Sequence, residues 1–394
     1  MALDLSQLTQ AVNALSANAA QRAAELEAQL PVARAILAAL GPADDDLRRK
    51  IAKAGKRWPG AIPTAEAVGA AFPLPPHPAR VNVLAADGSQ IYPDRHGVAL
   101  YYLINTGRIA FRHGSGQAPR VASRAEVFYE DADLYEPEGG QIAAVKIDAE
   151  RDCRELGALA ELAQTETDAP AVALVDNGLL LYLTLQAPNQ KMVDELLGAY
   201  LTELDRLRAT GAAAAGVVDR PRAANVVRLL QLATLELDEI SDQALRDLGP
   251  FTHLTDGLVF HLLKPGERSA LFVNASPANQ DNYRPRGHTV YFFYLNAGRP
   301  GRDAVLRVEV PEWVAQDPAQ LDLVHTAIVE QCRVTDGFPY VLMRAHELAV
   351  VTMAERREFE QMVVGGLLRR GLSPSVSQKA QGKAWTGSGS RRYP

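Results

Sequence analysis

The stretch Val81-Asn-Val-Leu-Ala-Ala-Asp-Gly-Ser-Gln-Ile-Tyr-Pro93 decides how this chain folds. It begins as a short apolar run with β-branched residues, the signature of a buried strand. The run ends in Asp87-Gly88-Ser89. A carboxylate at the tip of a buried strand is costly unless something pairs with it or coordinates it. Gly88 permits a sharp backbone bend, so Asp87 is expected to face an open site. A plain turn aspartate is the alternative.

The 394 residues are 47% hydrophobic and 22% charged, which predicts two or three domains and a sizeable core. The N-terminal Met1-Ala-Leu-Asp has neither a basic flank nor a hydrophobic run, so no signal peptide is expected. No stretch approaches the ~20 apolar residues that cross a bilayer. Cys153 and Cys332 lie far apart and form no CxxC, which argues against a disulfide framework and a zinc site and places the chain in the cytoplasm. The net charge of -6 excludes nucleic-acid binding through bulk charge alone. Binding would need a local basic patch, a metal or a partner.

Residues 4–55 read as helix, with an apolar stripe from Leu5 to Leu40 and a break or kink predicted at Pro31. A Pro-rich linker follows, so residues 1–75 form an N-terminal segment, 76–370 the main domain and 371–394 a flexible basic tail. Within the main domain, 98–104 reads as a second strand and 108–112 as a third, joined by an Asn105-Thr-Gly turn. Residues 125–129 add to the sheet. A helix over 148–164 is predicted with Asp148 as N-cap. Residues 171–175 form another buried strand ending in a carboxylate, Asp176. A helix over 191–210, a strand over 214–218 and a helix to about 238 come next. Strands at 290–295 and 305–310 pair, and helices follow at 318–332 and up to about 370. The Phe292-Phe293-Tyr294 run reads as strand core.

The strands ending at Asp87 and Asp176 finish alike. If they run parallel and adjacent, both carboxylates project at one edge of the sheet, where ligand sites favour strand carboxyl ends. The first turns of the intervening helix then lie nearest. They carry Glu150 and Glu155, with Glu161 ~9–17 Å further down at 1.5 Å per residue. Converging carboxylates call for divalent cations, and a pair of such ions can activate water and stabilise a leaving oxygen of a phosphodiester. That is an RNase H-like plan. Spacing alone equally allows unrelated turn residues in an ordinary α/β protein.

Four features together resemble the NurA nucleases. They are Ala86-Asp-Gly-Ser-Gln90, Arg151-Asp-Cys-Arg-Glu155, Leu174-Val-Asp-Asn-Gly178, and Gly337-Phe-Pro-Tyr340 with Ala345-His346. Thr255-Asp-Gly257 and Lys264-Pro-Gly-Glu-Arg-Ser269 resemble the family's middle region. The resemblance implies an α/β RNase H-like, Argonaute-PIWI-like mixed sheet with helices on both faces. It also implies Mn²⁺-dependent DNA cleavage (Mg²⁺ the alternative ion), as a 5′–3′ exonuclease and single-stranded DNA endonuclease. A homodimer and partnership with a HerA-type hexameric ATPase in resection of broken DNA ends complete the picture. It implies Asp87, Glu155, Asp176 and His346 as metal ligands and catalytic residues. Two departures stand out. The family's second Asp-Gly-Ser is Asp176-Asn-Gly here, and its tyrosine is Phe338, so a role for that hydroxyl passes to Tyr340 or is absent.

Arg284, Arg286, His288, Arg299 and Arg302 form a candidate phosphate track on single- and double-stranded DNA, with solvated loops as the alternative. Lys264, Arg268, Arg220 and Arg222 are further candidates. The rival function is a non-catalytic DNA-binding adaptor that regulates a translocase. The altered Asp176-Asn-Gly turn favours it, and the intact acid and histidine set opposes it.

Overall fold

The computed structural model describes residues 5–136, 139–181 and 190–372. The tail expected over 371–394 lies, beyond Leu372, outside the described residues. Along the chain come α1 (Thr9–Ala39), α2 (Asp45–Ala54), β1 (Ala61–Pro63), β2 (Ala71–Phe72), β3 (Val81–Ile91), β4 (Tyr102–His113) and β5 (Arg120–Phe128). Then follow α3 (Asp131–Leu134), α4 (Ala144–Thr165), β6 (Ala171–Asp176), α5 (Gln190–Ala209), β7 (Ala213–Val218) and α6 (Asn225–Thr234). The remainder holds α7 (Asp242–Arg246), α8 (Asp256–Val259), β8 (Arg268–Ser269), β9 (Phe272–Asn274), β10 (Val290–Asn296), β11 (Val305–Pro311), α9 (Glu312–Ala315), α10 (Pro318–Thr335), α11 (Tyr340–Ala349) and α12 (Met353–Leu368). Among the described residues no helix is long and apolar enough to cross a membrane.

The chain makes two compact units that interleave in sequence. Among the described residues, the β3 unit takes 80–136, 139–175, 181, 190–212 and 341–372, and the β10 unit takes 5–79, 176–180 and 213–340.

In the β3 unit, β4 pairs antiparallel with both β3 and β5, and β6 lies parallel to β3 on its other side. The order β5-β4-β3-β6, with α4 on the path from β5 to β6, is the expected RNase H-like mixed sheet. A Cβ on Gly88 would lie 2.5 Å from Arg151 Cγ of α4, whereas one on Gly107 would lie 2.6 Å from Ala349 N of α11. Successive side chains on a strand face opposite ways, and Asp87 is the partner of Gly107. Thus α4 covers the Gly88 face and α11 the Asp87 face.

Four expectations in this unit are corrected. Strand β3 continues to Ile91, so Asp87 sits within the strand and not at its tip. Gly88 makes no bend; it makes room for α4. Strand β4 is continuous through Asn105-Thr-Gly107, which is no turn. Gly107 is there because the α11 backbone crosses directly over it. Helix α4 starts at Ala144, so Asp148 is no N-cap; it accepts hydrogen bonds from Gln90 and Tyr92 instead.

In the β10 unit, the antiparallel run is β7-β11-β10-β9-β1, and β8 joins β10 to β2. Phe272, Phe292, Phe293 and Tyr294 are fully buried, so the aromatic run is strand core, as expected. The helix expected over 4–55 is two helices, because Asp44 caps a new one by accepting from Leu47 N at 2.8 Å. Helix α1 runs through Pro31 without the expected break. Proline removes one backbone donor, but Leu26 and Leu30 before it and Ala33 and Leu37 after it pack into one core cluster. Tertiary packing on both sides outweighs the local penalty.

Candidate functional site

Asp87 is held on the α11 face of β3. Ser89 Oγ and Asn105 Nδ2 both donate to Ala349 O, at 2.5 and 2.7 Å, and this stitches the end of α11 onto β3 and β4. The stitching brings His346 over Asp87, with Nδ1 2.7 Å from Asp87 Oδ2. The Asp87 side chain is 16% exposed and that of His346 66%. A carboxylate on one ring nitrogen fixes the imidazole's orientation and leaves Nε2 as the nitrogen for a ligand.

Glu155 belongs to α4. Its Oε1 would lie 2.8 Å from a Cβ on Gly88, and only glycine fits there. Burial, then the neighbouring Asp152 and Asp87, hold the Glu155 carboxyl well above the usual carboxylate range, against the pull of Arg151 and the Gly88 amide. Burial likewise raises Asp152, with Asp148 and Asp87 adding to it against the pull of Arg151. Arg151 is the cation amid these acids. It meets Asp152 at 2.7 Å and Glu155 at 3.3 Å, and donates to Gln90 Oε1 at 3.1 Å. The other two glutamates of α4 are engaged elsewhere: Glu150 accepts from Tyr102 Oη at 2.9 Å, and Glu161 pairs with Arg108.

Asp176 closes β6, one residue beyond Val175, which pairs with Ala86 of β3. Tyr340 opens α11. Among the described residues no three His, Cys, Asp or Glu side chains converge on one point as a ready metal cage. The donors fit a hard divalent cation in kind: carboxylate oxygens and an imidazole suit Mn²⁺ and Mg²⁺. The carboxyls of Glu155 and Asp152 are raised chiefly by burial and then by neighbouring carboxylates, Asp87 among them, and a cation bound beside them would favour their charged forms.

The basic candidates divide. Arg268 is 5% exposed; it grips Glu66 at 2.9 and 3.2 Å and lies 4.0 Å over the Phe72 ring. It is an internal strut and not a surface contact. His288 is fully buried, with its ring edge-on to Trp313. Arg299 and Arg302 both hold Asp336, at 2.9 and 3.0 Å, and remain exposed. Lys264, Arg284 and Arg286 are exposed. Arg302 also lines a cleft of about 580 Å³ in the β10 unit, with Arg220, Arg222, His261 and Phe338.

Sequence reasoning gave no role to Asp256. It is fully buried and accepts from Val226 N at 3.0 Å, Val227 N at 2.8 Å and Tyr294 Oη at 2.7 Å. It caps α6, whose own N-cap residue Ala224 makes no side-chain cap. Burial raises its carboxyl despite these donors. Arg151 and Asp152 were given no role either, although both stand in the Arg151-Asp-Cys-Arg-Glu155 motif, within one helical turn of Glu155. Both cysteines are free, and burial pushes the Cys153 thiol up to about 12.

A family model described as the NurA domain matches residues 81–351. Among solved structures, the NurA nuclease from Sulfolobus solfataricus aligns with a TM-score of 0.48 and 13% identity, over 75% of this chain and 86% of that one. A NurA bound to dAMP and manganese gives 0.39 and 11%, over 73% and 88%. The catalytic domain of human endonuclease V gives 0.29 and 15%, over 72% and 83%. No curated protein matches the chain.

Proposed function

Because the chain belongs to the NurA family of nucleases, we propose that it is a metal-dependent deoxyribonuclease, a 5′–3′ exonuclease and single-stranded DNA endonuclease. It acts in the cytoplasm in DNA end resection and double-strand-break repair, as a homodimer partnered with a HerA-type hexameric ATPase. The observation that carries this reading is the juxtaposition in the β3 unit: His346 lies 2.7 Å from Asp87, and Glu155 packs against the adjacent Gly88.

Asp87, Glu155, Asp176 and His346 are the residues that would hold Mn²⁺, or Mg²⁺ in its place. When bound, such an ion supplies positive charge to the scissile phosphate and lowers the pKa of water. The chain's own residues do the rest. Asp87 orients His346. Arg151 keeps the crowded acids of α4 in place and ties them to Gln90 of β3. Exposed Arg299, Arg302, Arg284, Arg286 and Lys264 offer phosphate contacts along the β10 unit.

The adaptor reading keeps one specific observation in its favour. Asn177, where the family pattern has glycine, takes the left-handed φ of 84°. End-labelled single- and double-stranded DNA, incubated with the protein and Mn²⁺, Mg²⁺ or EDTA, separates the two. A nuclease cuts with the metal and not with EDTA. An adaptor binds DNA in every lane and cuts in none.

A further inference from the structure

The turn after Asp176 is clamped by a buried ion pair from another strand. Asn177 N donates to Val217 O at 3.0 Å, and Leu179 N donates to Glu309 Oε2 at 2.8 Å. A Cβ on Gly178 would fall 2.6 Å from that same Glu309 oxygen, and one on Gly216 would fall 2.6 Å from Asn177 O. Gly178 is thus required for room and not for backbone conformation. Glu309 is in turn fixed by Arg307, at 2.8 and 2.9 Å. The Arg307 guanidinium lies 3.7 Å over the Phe292 ring and donates to Asn225 Oδ1 at 2.9 Å and Tyr294 Oη at 3.3 Å. Arg307 and Glu309 are 4% and 5% exposed.

A buried ion pair adds little net stability over an apolar pair of similar volume. Its distinctive product is geometry, and here that geometry is delivered to the backbone directly after Asp176. We propose that Glu309, braced by Arg307, is the residue that positions Asp176. The clamp fixes the Asp176-Asn177-Gly178 turn with its unusual left-handed asparagine, and so sets where the Asp176 carboxylate points. This inference rests on the proposed metal-binding role of Asp176. Glu309 acts through the Leu179 amide and is a positioning residue.

The test uses the full chain and two readouts, Mn²⁺ affinity by calorimetry and DNA cleavage, with thermal melting as a check on folding. Four variants are compared: Asp176→Asn, Gly178→Ala, Glu309→Gln, and the double apolar replacement Arg307→Met with Glu309→Leu. Loss of an outer partner of a metal ligand costs about 10–100-fold in metal affinity or activity. Gly178→Ala, and the double variant where it folds, should lose at least about tenfold in Mn²⁺ affinity by that measure. Glu309→Gln keeps an oxygen for Leu179 N and should recover most of what the double variant loses. Wild-type affinity in Gly178→Ala would overturn the proposal. So would a Glu309→Gln variant as inactive as Asp176→Asn, because Glu309 would then be acting as a ligand. If Asp176→Asn itself binds Mn²⁺ and cuts DNA normally, the failure lies with the metal-site reading.

Discussion

His346, in α11, lies with its Nδ1 2.7 Å from the Oδ2 of Asp87, 259 residues earlier in the chain. The pair is held there by backbone as much as by side chains. Gly107, opposite Asp87, leaves the space through which α11 approaches, and Ser89 and Asn105 hold Ala349 O.

Gly107→Ala should damage the site from a distance. The new methyl would lie 2.6 Å from Ala349 N and 2.7 Å from the Leu348 carbonyl carbon, both backbone atoms that cannot swing aside. Overpacking of this kind costs about 1–3 kcal/mol. Chemical denaturation should show that loss, and DNA cleavage should fall with it as His346 is displaced. Unchanged stability and cleavage would mean α11 is free to shift.

Glu155 gives the metal-free protein a pH dependence of definite sign. Burial raises its folded pKa well above the ordinary 4.5 of a glutamate. Stability from such a group is full below that value and is lost as pH rises through the folded pKa. In EDTA, melting temperature should therefore fall as the solution goes from mildly acidic to neutral. Glu155→Gln removes the charge and should flatten that fall, although Asp152, also raised, retains part of it. The variant should be more stable than the wild type at neutral pH, yet poorer at cleavage. A Glu155→Gln variant with the wild-type pH slope would contradict a strained carboxyl.

His325 predicts the opposite slope. It is fully buried, bonded to Gly266 O at 2.8 Å, and its pKa falls from 6.5 to about 4, chiefly through burial. A neutral buried histidine contributes stability that is present above 6.5 and lost as pH falls toward 4. The shift corresponds to roughly 3 kcal/mol. His325→Gln should lose this acid sensitivity, read as melting temperature across that range.

Helix α1 changes character along its length. Ala33 and Leu37 are core, whereas Val12 and Leu15 are 55% and 71% exposed, as is Leu8 just before the helix at 38%. Deleting the first twenty residues should leave the fold intact and weaken self-association or binding to the ATPase, measured by light scattering and pull-down. Deleting through residue 55 should unfold the β10 unit, because it removes Leu37 and Leu47 from its core. A twenty-residue deletion that self-associates and binds the ATPase normally would rule out the helix start as a docking arm.

Much of this was legible in the sequence where local signals carry the information. The alternating and apolar runs located β3, β6, β10 and β11, and the two strands ending in or containing aspartate did prove parallel neighbours. What stayed hidden was long-range. Asn105-Thr-Gly107 has turn chemistry, yet it lies inside β4 because α11, some 240 residues later, needs the glycine's space. Arg268 reads as a surface cation, but its partner Glu66 is 202 residues away. Leu179 and Glu309 are 130 residues apart, and nothing near either one announces the clamp.

In the proposed nuclease, Asp87 and Asp176 serve chemistry and not packing. The direct measurement is cleavage of end-labelled single-stranded DNA in Mn²⁺ by wild type, Asp87→Ala and Asp176→Ala, each first shown to melt like the wild type. Both variants should be inactive while remaining folded. Retention of more than about a tenth of wild-type cleavage by either, a barrier change below roughly 1.4 kcal/mol, would contradict a ligand role for that aspartate.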